Sequence, residues 1–331
     1  MRILVPVTAT GWRPLSSRHK GDAATSWREE VPAALEVPLR TWVRDTLNPR
    51  WPGIIGIEPV PERVLLKLDL VLPPDAEDDG SEEIPSRSSL ARQSLAWGTP
   101  TEQLPDVIDA ILHLLPPPHP PVNPSRAPEG AAFGWSALAV VNTAASYQRV
   151  IAQRKELAGL LDDALSALRV QADGRGLERR ADPVAEAAHA EAVASAGTAA
   201  NAGSAAAHLR TSWACLHALH PDSGKAYSEA IKAVEAAAHA LTEPNNRKAT
   251  LGSMIGALRS SQHRYPLIIG KNRERDAATL IGMMALLWDG QTSRHGASTE
   301  TRAETLDEAT AAVHLAVTLV QWFTSGAVHR Q

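Results

Sequence analysis

At 331 residues the chain is long enough for more than one hydrophobic core, and its net charge of -4 excludes the overall basic surface that coats nucleic acid. A lone cysteine, Cys215, excludes an internal disulfide framework and a cysteine-rich zinc site, which fits a reducing cytoplasm. The apolar start Met1-Arg2-Ile3-Leu4-Val5-Pro6 is too short for a signal-peptide core, and no run reaches the ~18 apolar residues of a bilayer span, so the expectation is a cytoplasmic protein without a membrane partner.

The pattern reads as mainly α, in three parts. Residues 1–130 form a smaller mixed α/β region, 131–203 a helical and hairpin connecting region, and 204–328 a helical bundle. Pro38 fits the first turn of a short helix with Leu39, Trp42, Val43 and Leu47 on one side. From Arg63 to Leu72, Val64, Leu66, Leu68, Leu70 and Leu72 alternate with Arg63, Lys67 and Asp69, which predicts a strand with one buried face. Residues 75–89 lack an apolar period and read as a flexible acidic loop, with acids outside the spacing of a calcium loop. Pro105 to Leu115 predicts an amphipathic helix through Val107, Ile108, Ile111, Leu112 and Leu115. The Pro-rich stretch 116–128 ends it and reads as a semi-rigid spacer or a docking site for a proline-reading module.

Helical periodicity resumes near Trp135 and runs to Leu161. Ala164–Val170 and Leu177–Ala181 flank Ala172-Asp-Gly-Arg-Gly176 as the arms of a hairpin, although the first arm also suits a helix. Asp182-Pro183 supplies an N-cap and a first-turn proline for a helix through Ser195.

Four long helices and one short one are predicted beyond Ser204. The first carries Ala205, Leu209, Trp213 and Leu216, with Cys215 read as a buried, inert thiol. The second opens after Pro221-Asp222-Ser223 and places Tyr227, Ile231, Val234, Ala238 and Leu241 at helical spacing. A short helix over Ala249–Ser260 precedes a third, from about Arg275, with Leu280, Ile281, Met284, Leu287 and Trp288. The last follows Thr301-Arg-Ala-Glu304, which has the form of a capping box. It is apolar on two sides, Ala309, Val313, Ala316, Val317 and Val320 against Leu315, Leu319 and Trp322, which suits either a homodimer or burial beneath the N-terminal region. His314 reads as a core or interface histidine. His217 and His220, three apart, lack further metal ligands in view. Between Arg247 and Arg275 the basic residues Arg247, Lys248, Arg259, Arg264, Lys271, Arg273 and Arg275 are opposed only by Glu274; the stretch suits a phosphate backbone or an ordinary solvated surface.

Ala226-Tyr-Ser-Glu-Ala-Ile-Lys-Ala-Val-Glu-Ala-Ala237, Asn245-Asn-Arg-Lys-Ala-Thr-Leu-Gly252 and Leu287-Trp-Asp-Gly-Gln-Thr-Ser-Arg-His-Gly296 resemble the HEPN superfamily, in the branch found at the C-terminus of abortive-infection proteins. The resemblance covers about Ser204 to Val328. It implies a four-helix bundle, usually dimeric, and often a metal-independent endoribonuclease of toxin–antitoxin and phage-defence systems. The partners it implies are RNA, a second copy of the chain and a regulatory or antitoxin protein; no cofactor or metal is implied. The family motif is an Arg followed, after four to six residues, by a His, with two motifs meeting across the dimer. Carried over, His295 becomes the general acid or base, Arg294 the phosphate ligand and Asp289 the polar residue that orients the corner. Lys271, Arg273, Arg275, Arg247, Lys248 and Arg264 become RNA contacts. This chain departs from the motif, because Trp288 stands six intervening residues before His295, where the family places its arginine. Either Arg294 or the basic segment replaces that cation, or the bundle is a catalytically degenerate module that dimerises and binds nucleic acid, nucleotide or protein. No P-loop, nucleophile elbow or His-Glu-x-x-His helix occurs in the sequence.

Overall fold

The computed structural model describes residues 27–48, 60–71, 87–115, 135–269, 271, 273–292 and 302–330. Among them the chain is mainly helical, with eleven α-helices and one two-stranded sheet. It divides into two compact units, Met1–Arg180 and Ala181–Gln331. The Pro-rich stretch 116–128 and most of the acidic loop lie outside the described residues, while Arg87–Ser89, assigned to that loop from sequence, open a helix.

The first unit begins with α1 (Ala33–Thr46), which starts after Pro32 and not at Pro38. Pro38 sits inside the helix, where its missing N–H leaves only the Ala34 carbonyl without its usual partner. Leu35, Leu39, Trp42 and Val43 form the buried face. The Trp42 indole N–H donates to the Gln153 carbonyl at 2.8 Å, so this large side chain is buried with its polar atom satisfied.

The strand expected over Arg63–Leu72 is instead α2 (Val60–Lys67). The alternation was broken by Leu65 beside Leu66, and Pro61, Val64 and Leu65 are buried at helical spacing while Leu66 is 82% exposed. Asp69, with φ 53°, ends the helix by letting the Leu70 N–H reach the Leu65 carbonyl at 3.0 Å. The mixed α/β expectation is thereby corrected for residues 27–115, whose described elements are all helical.

Helix α3 (Arg87–Gln93) runs into a π-helical turn, Ser94–Gly98, and a 3-10 turn, Thr101–Gln103. Helix α4 (Leu104–Leu114) buries Val107, Ile108, Ile111 and Leu112 as its spacing requires. Helix α5 (Trp135–Asp163) is continuous over 29 residues, a length of about 44 Å. Leu165, with φ 53°, closes it in a Schellman turn, with Ser166 N–H to Leu161 O and Leu165 N–H to Asp162 O both at 3.0 Å. The hairpin therefore begins only at β1 (Leu168–Val170), which pairs antiparallel with β2 (Leu177–Arg179). Gly174, with φ 70°, turns the loop between them, and the Leu177 N–H is held by Asp109 of α4 at 2.6 Å.

The second unit has six α-helices among the described residues: α6 (Pro183–Thr198), α7 (Ala205–Leu216), α8 (Ser223–Thr242), α9 (Leu251–Ser260), α10 (Arg273–Asp289) and α11 (Leu306–Thr324). Asp182 caps α6 through the Val184 and Ala185 N–H groups, and Asp222 caps α8 through that of Lys225. Helix α8 packs against α7, α9 and α11. Leu209, Ala230, Val234, Leu251, Leu280, Met284, Val313 and Val320 are almost wholly buried in one core. Ala192 and Ala196 of α6 belong to it too, so a helix from the expected connecting region packs with those beyond residue 204.

Two local expectations change here. The capping box of α11 is Thr305–Glu308, one Thr-x-x-Glu repeat later than Thr301–Glu304, and the buried face of the helix begins at Ala309. Helix α11 packs against α6, with a 2.8 Å hydrogen bond between Ser195 and Thr324, while on its second apolar side Leu319 is buried and Leu315 and Trp322 are partly so. His314 is exposed, its ring 6.2 Å from that of Trp213.

Candidate functional site

Asp289 is the last residue of α10 and is exposed; Arg294 and His295 lie outside the described residues. Thr292 Oγ1 donates to the Arg302 carbonyl at 3.0 Å, which brings the exit from α10 and the approach to α11 to one corner.

Arg302 then reaches Glu308 with both guanidinium arms, and Glu308 also accepts the Thr305 N–H at 2.8 Å. Arg302 first, and the Thr305 N–H second, hold the Glu308 carboxyl down to about 2. Glu304 is 5% exposed, with a carboxylate oxygen close to Gly224 in the first turn of α8, where the helix dipole favours negative charge. The approach to α11 is thus held at Arg302 and at Thr305, with Glu304 buried between them, before the helix begins.

The other side of the corner is set by packing. Tyr227, 4% exposed on α8, donates its hydroxyl to the Leu287 carbonyl at 3.1 Å, satisfying an acceptor that the end of α10 leaves without an intrahelical donor. Gly290 follows directly, and a Cβ there would overlap the Tyr227 hydroxyl oxygen. Trp288 is half-buried; a Cβ on Gly252 of α9 would lie 2.9 Å from its ring. That position packs α10 against α9.

The basic residues do not form one patch. Arg247 and Lys248 are exposed in the loop before α9, whereas Arg259, Arg264, Lys271 and Arg275 are exposed at or beyond its other end. A ten-residue helix separates the two groups by about 15 Å. Arg273 opens α10. Among the described residues no cluster of three or more His, Cys, Asp or Glu side chains is arranged to hold a metal.

One aromatic cluster was missed by sequence reasoning. The His189 ring of α6 stacks on Trp213 of α7 at 4.3 Å and 13°, and His217 covers Trp213 at 4.2 Å. Burial lowers the His189 pKa, helped by the positive potential of His217 and Arg210 and opposed by the Leu209 carbonyl and Glu186. The four-residue spacing of Trp213 and His217 was visible on one helix face; His189, on another helix, carried no such signal. Nearby, burial pushes Glu229 up, but hydrogen bonds from Lys232 and His208 outweigh it and its pKa is lowered. Burial raises the Cys215 thiol, which is free and half-buried.

No helix among the described residues is long and apolar enough to cross a membrane. Comparison of the chain with protein-family models, curated proteins and solved structures finds no match in any of the three.

Proposed function

We propose that the second unit is a HEPN-like effector of a bacterial abortive-infection, toxin or phage-defence system, acting on RNA in the cytoplasm as a metal-independent endoribonuclease. The observation that carries this reading is the Thr292–Arg302 hydrogen bond, which brings together the two ends of the segment holding Arg294 and His295, beside the exposed Asp289. In this reading the RNA 2'-hydroxyl attacks its own 3'-phosphate, the 5'-oxygen of the next nucleotide leaves, and a 2',3'-cyclic phosphate forms. His295 transfers the proton, Arg294 neutralises charge on the phosphoryl oxygens, and Asp289 orients the corner. A second copy of the chain completes the cleft, and a regulatory or antitoxin protein restrains it.

Purified protein incubated with tRNA and mRNA in the presence of EDTA is expected to give cyclic-phosphate ends, and His295→Ala to abolish them. Absence of cleavage, or cleavage equal in the variant, refutes the assignment.

The packing of Trp288 against Gly252 favours a second reading, a catalytically degenerate bundle that dimerises and binds nucleic acid, nucleotide or protein. Its signature is salt-sensitive RNA binding without turnover. Charge reversal at Arg273 and Arg275 that leaves such binding unchanged removes this version.

A further inference from the structure

The first unit contains an open cleft of about 280 Å³, lined by Arg44, Asn48, Ser89, Arg92, Gln93 and Trp97. Its volume is close to the ~300 Å³ lower end of small-ligand sites. Among the described residues two guanidinium groups line it and no carboxylate does. Arg44 has an ion pair with its neighbour Asp45 at 2.7 Å, but both side chains are about half exposed, at 49% and 48%. Such a pair is easily exchanged for a stronger anion. Arg92 makes a long 3.4 Å hydrogen bond to the neutral Ser89 hydroxyl.

The aromatic wall is independent of these charges. Trp97 is 47% exposed although Leu95 and Ala96 beside it are completely buried. The π-helical turn Ser94–Gly98 produces this division, and two buried hydrogen bonds fix it: Thr99 Oγ1 to the Leu95 carbonyl at 2.9 Å and Arg40 Nη1 to the Ala96 carbonyl at 3.0 Å. Single π turns recur where a helix must aim a side chain at a ligand. Here the indole is held outward at a cleft that also carries two cations.

We propose that this cleft binds a nucleotide, with its base stacked on the Trp97 indole and its phosphate between Arg44 and Arg92. Both features are required: a planar guanidinium pairs bidentately with phosphate oxygens, and an exposed indole offers a stacking face to any base. The amides of Asn48 and Gln93 lie where the sugar or base edge would pass. The same chemistry is offered by a free nucleotide and by the 5'-phosphorylated end of an RNA. The binding is separate from cleavage at His295.

Isothermal titration of the full chain with ATP, GTP, adenosine, inorganic phosphate and a 5'-phosphorylated tetranucleotide tests this. Saturable binding of the phosphorylated ligands is expected, with adenosine and phosphate each at least about tenfold weaker. Arg44→Gln and Arg92→Gln should each weaken the nucleotides about tenfold without altering adenosine. Trp97→Ala should weaken nucleotides and adenosine alike, and Trp97→Phe should restore most of the loss. Unchanged far-ultraviolet dichroism and melting temperature show that the variants fold. Tighter binding of the tetranucleotide than of ATP and GTP identifies an RNA end as the source, and the reverse order a free nucleotide; either supports the site. No saturable binding at millimolar ligand, or affinities unchanged by all three truncating substitutions, overturns it.

Discussion

Replacing Gly290 by alanine tests how the corner after α10 is built. Its Cβ would overlap the Tyr227 hydroxyl oxygen and approach the Leu286 carbonyl to 3.0 Å, and the Tyr227 hydroxyl is anchored on Leu287 at 3.1 Å. Overpacking of this kind costs about 1–3 kcal/mol. Tyr227→Phe alone should cost about 1 kcal/mol, since it leaves the Leu287 carbonyl without its donor. In the double variant the nearest ring atom, Cζ, would stand 3.6 Å from the new methyl, an ordinary contact. The two substitutions should therefore be strongly non-additive, with a coupling of about 1 kcal/mol or more. Urea unfolding of the four proteins, followed by circular dichroism, gives each midpoint and slope. Costs that add to within about 0.5 kcal/mol would refute the arrangement of Tyr227, Leu287 and Gly290.

Asp109→Ala should destabilise the first unit by about 1–3 kcal/mol, because the Leu177 N–H in the hairpin loses its 2.6 Å acceptor; thermal unfolding measures it. Thr305→Ala should cost about 1 kcal/mol through the lost cap of α11, read from the same transition. His189, lowered in the folded state, binds fewer protons there than in the unfolded chain, so its contribution is present above the unfolded value of about 6.5 and is lost as pH falls through the folded one. The His189→Leu variant should accordingly lose less melting temperature than the parent between pH 7.5 and pH 5.5. Equal losses would refute His189 as the source of the dependence.

Helix boundaries were readable where an aspartate cap coincided with a change of period, and not from Pro38 or Thr301. Asp182 and Asp222 each stand one residue before the helix they cap. The segment around Val64 misled because alternation over a few leucines is weak against helical spacing; Pro61, Val64, Leu65 and the left-handed Asp69 belong to a helix and its end. Two Thr-x-x-Glu repeats preceded α11, and only the packing of the face that begins at Ala309 chooses between them. At the candidate site the Tyr227–Leu287 bond joins residues 60 apart, and in the first unit the cleft joins Arg44 to Trp97. Neither leaves a periodic trace, because each depends on how helices distant in sequence are packed.

The covering of α11 by α6 also decides where the chain can be divided. A fragment beginning at Ser204 would lose the Ser195–Thr324 bond and the cover that Ala192 and Ala196 of α6 give the shared core, baring apolar surface that invites aggregation. A fragment beginning at Ala181 keeps Asp182, the Pro183 start of α6 and that cover together. The proteolytic boundary to seek therefore lies between the β2 strand and Asp182, more than twenty residues before Ser204.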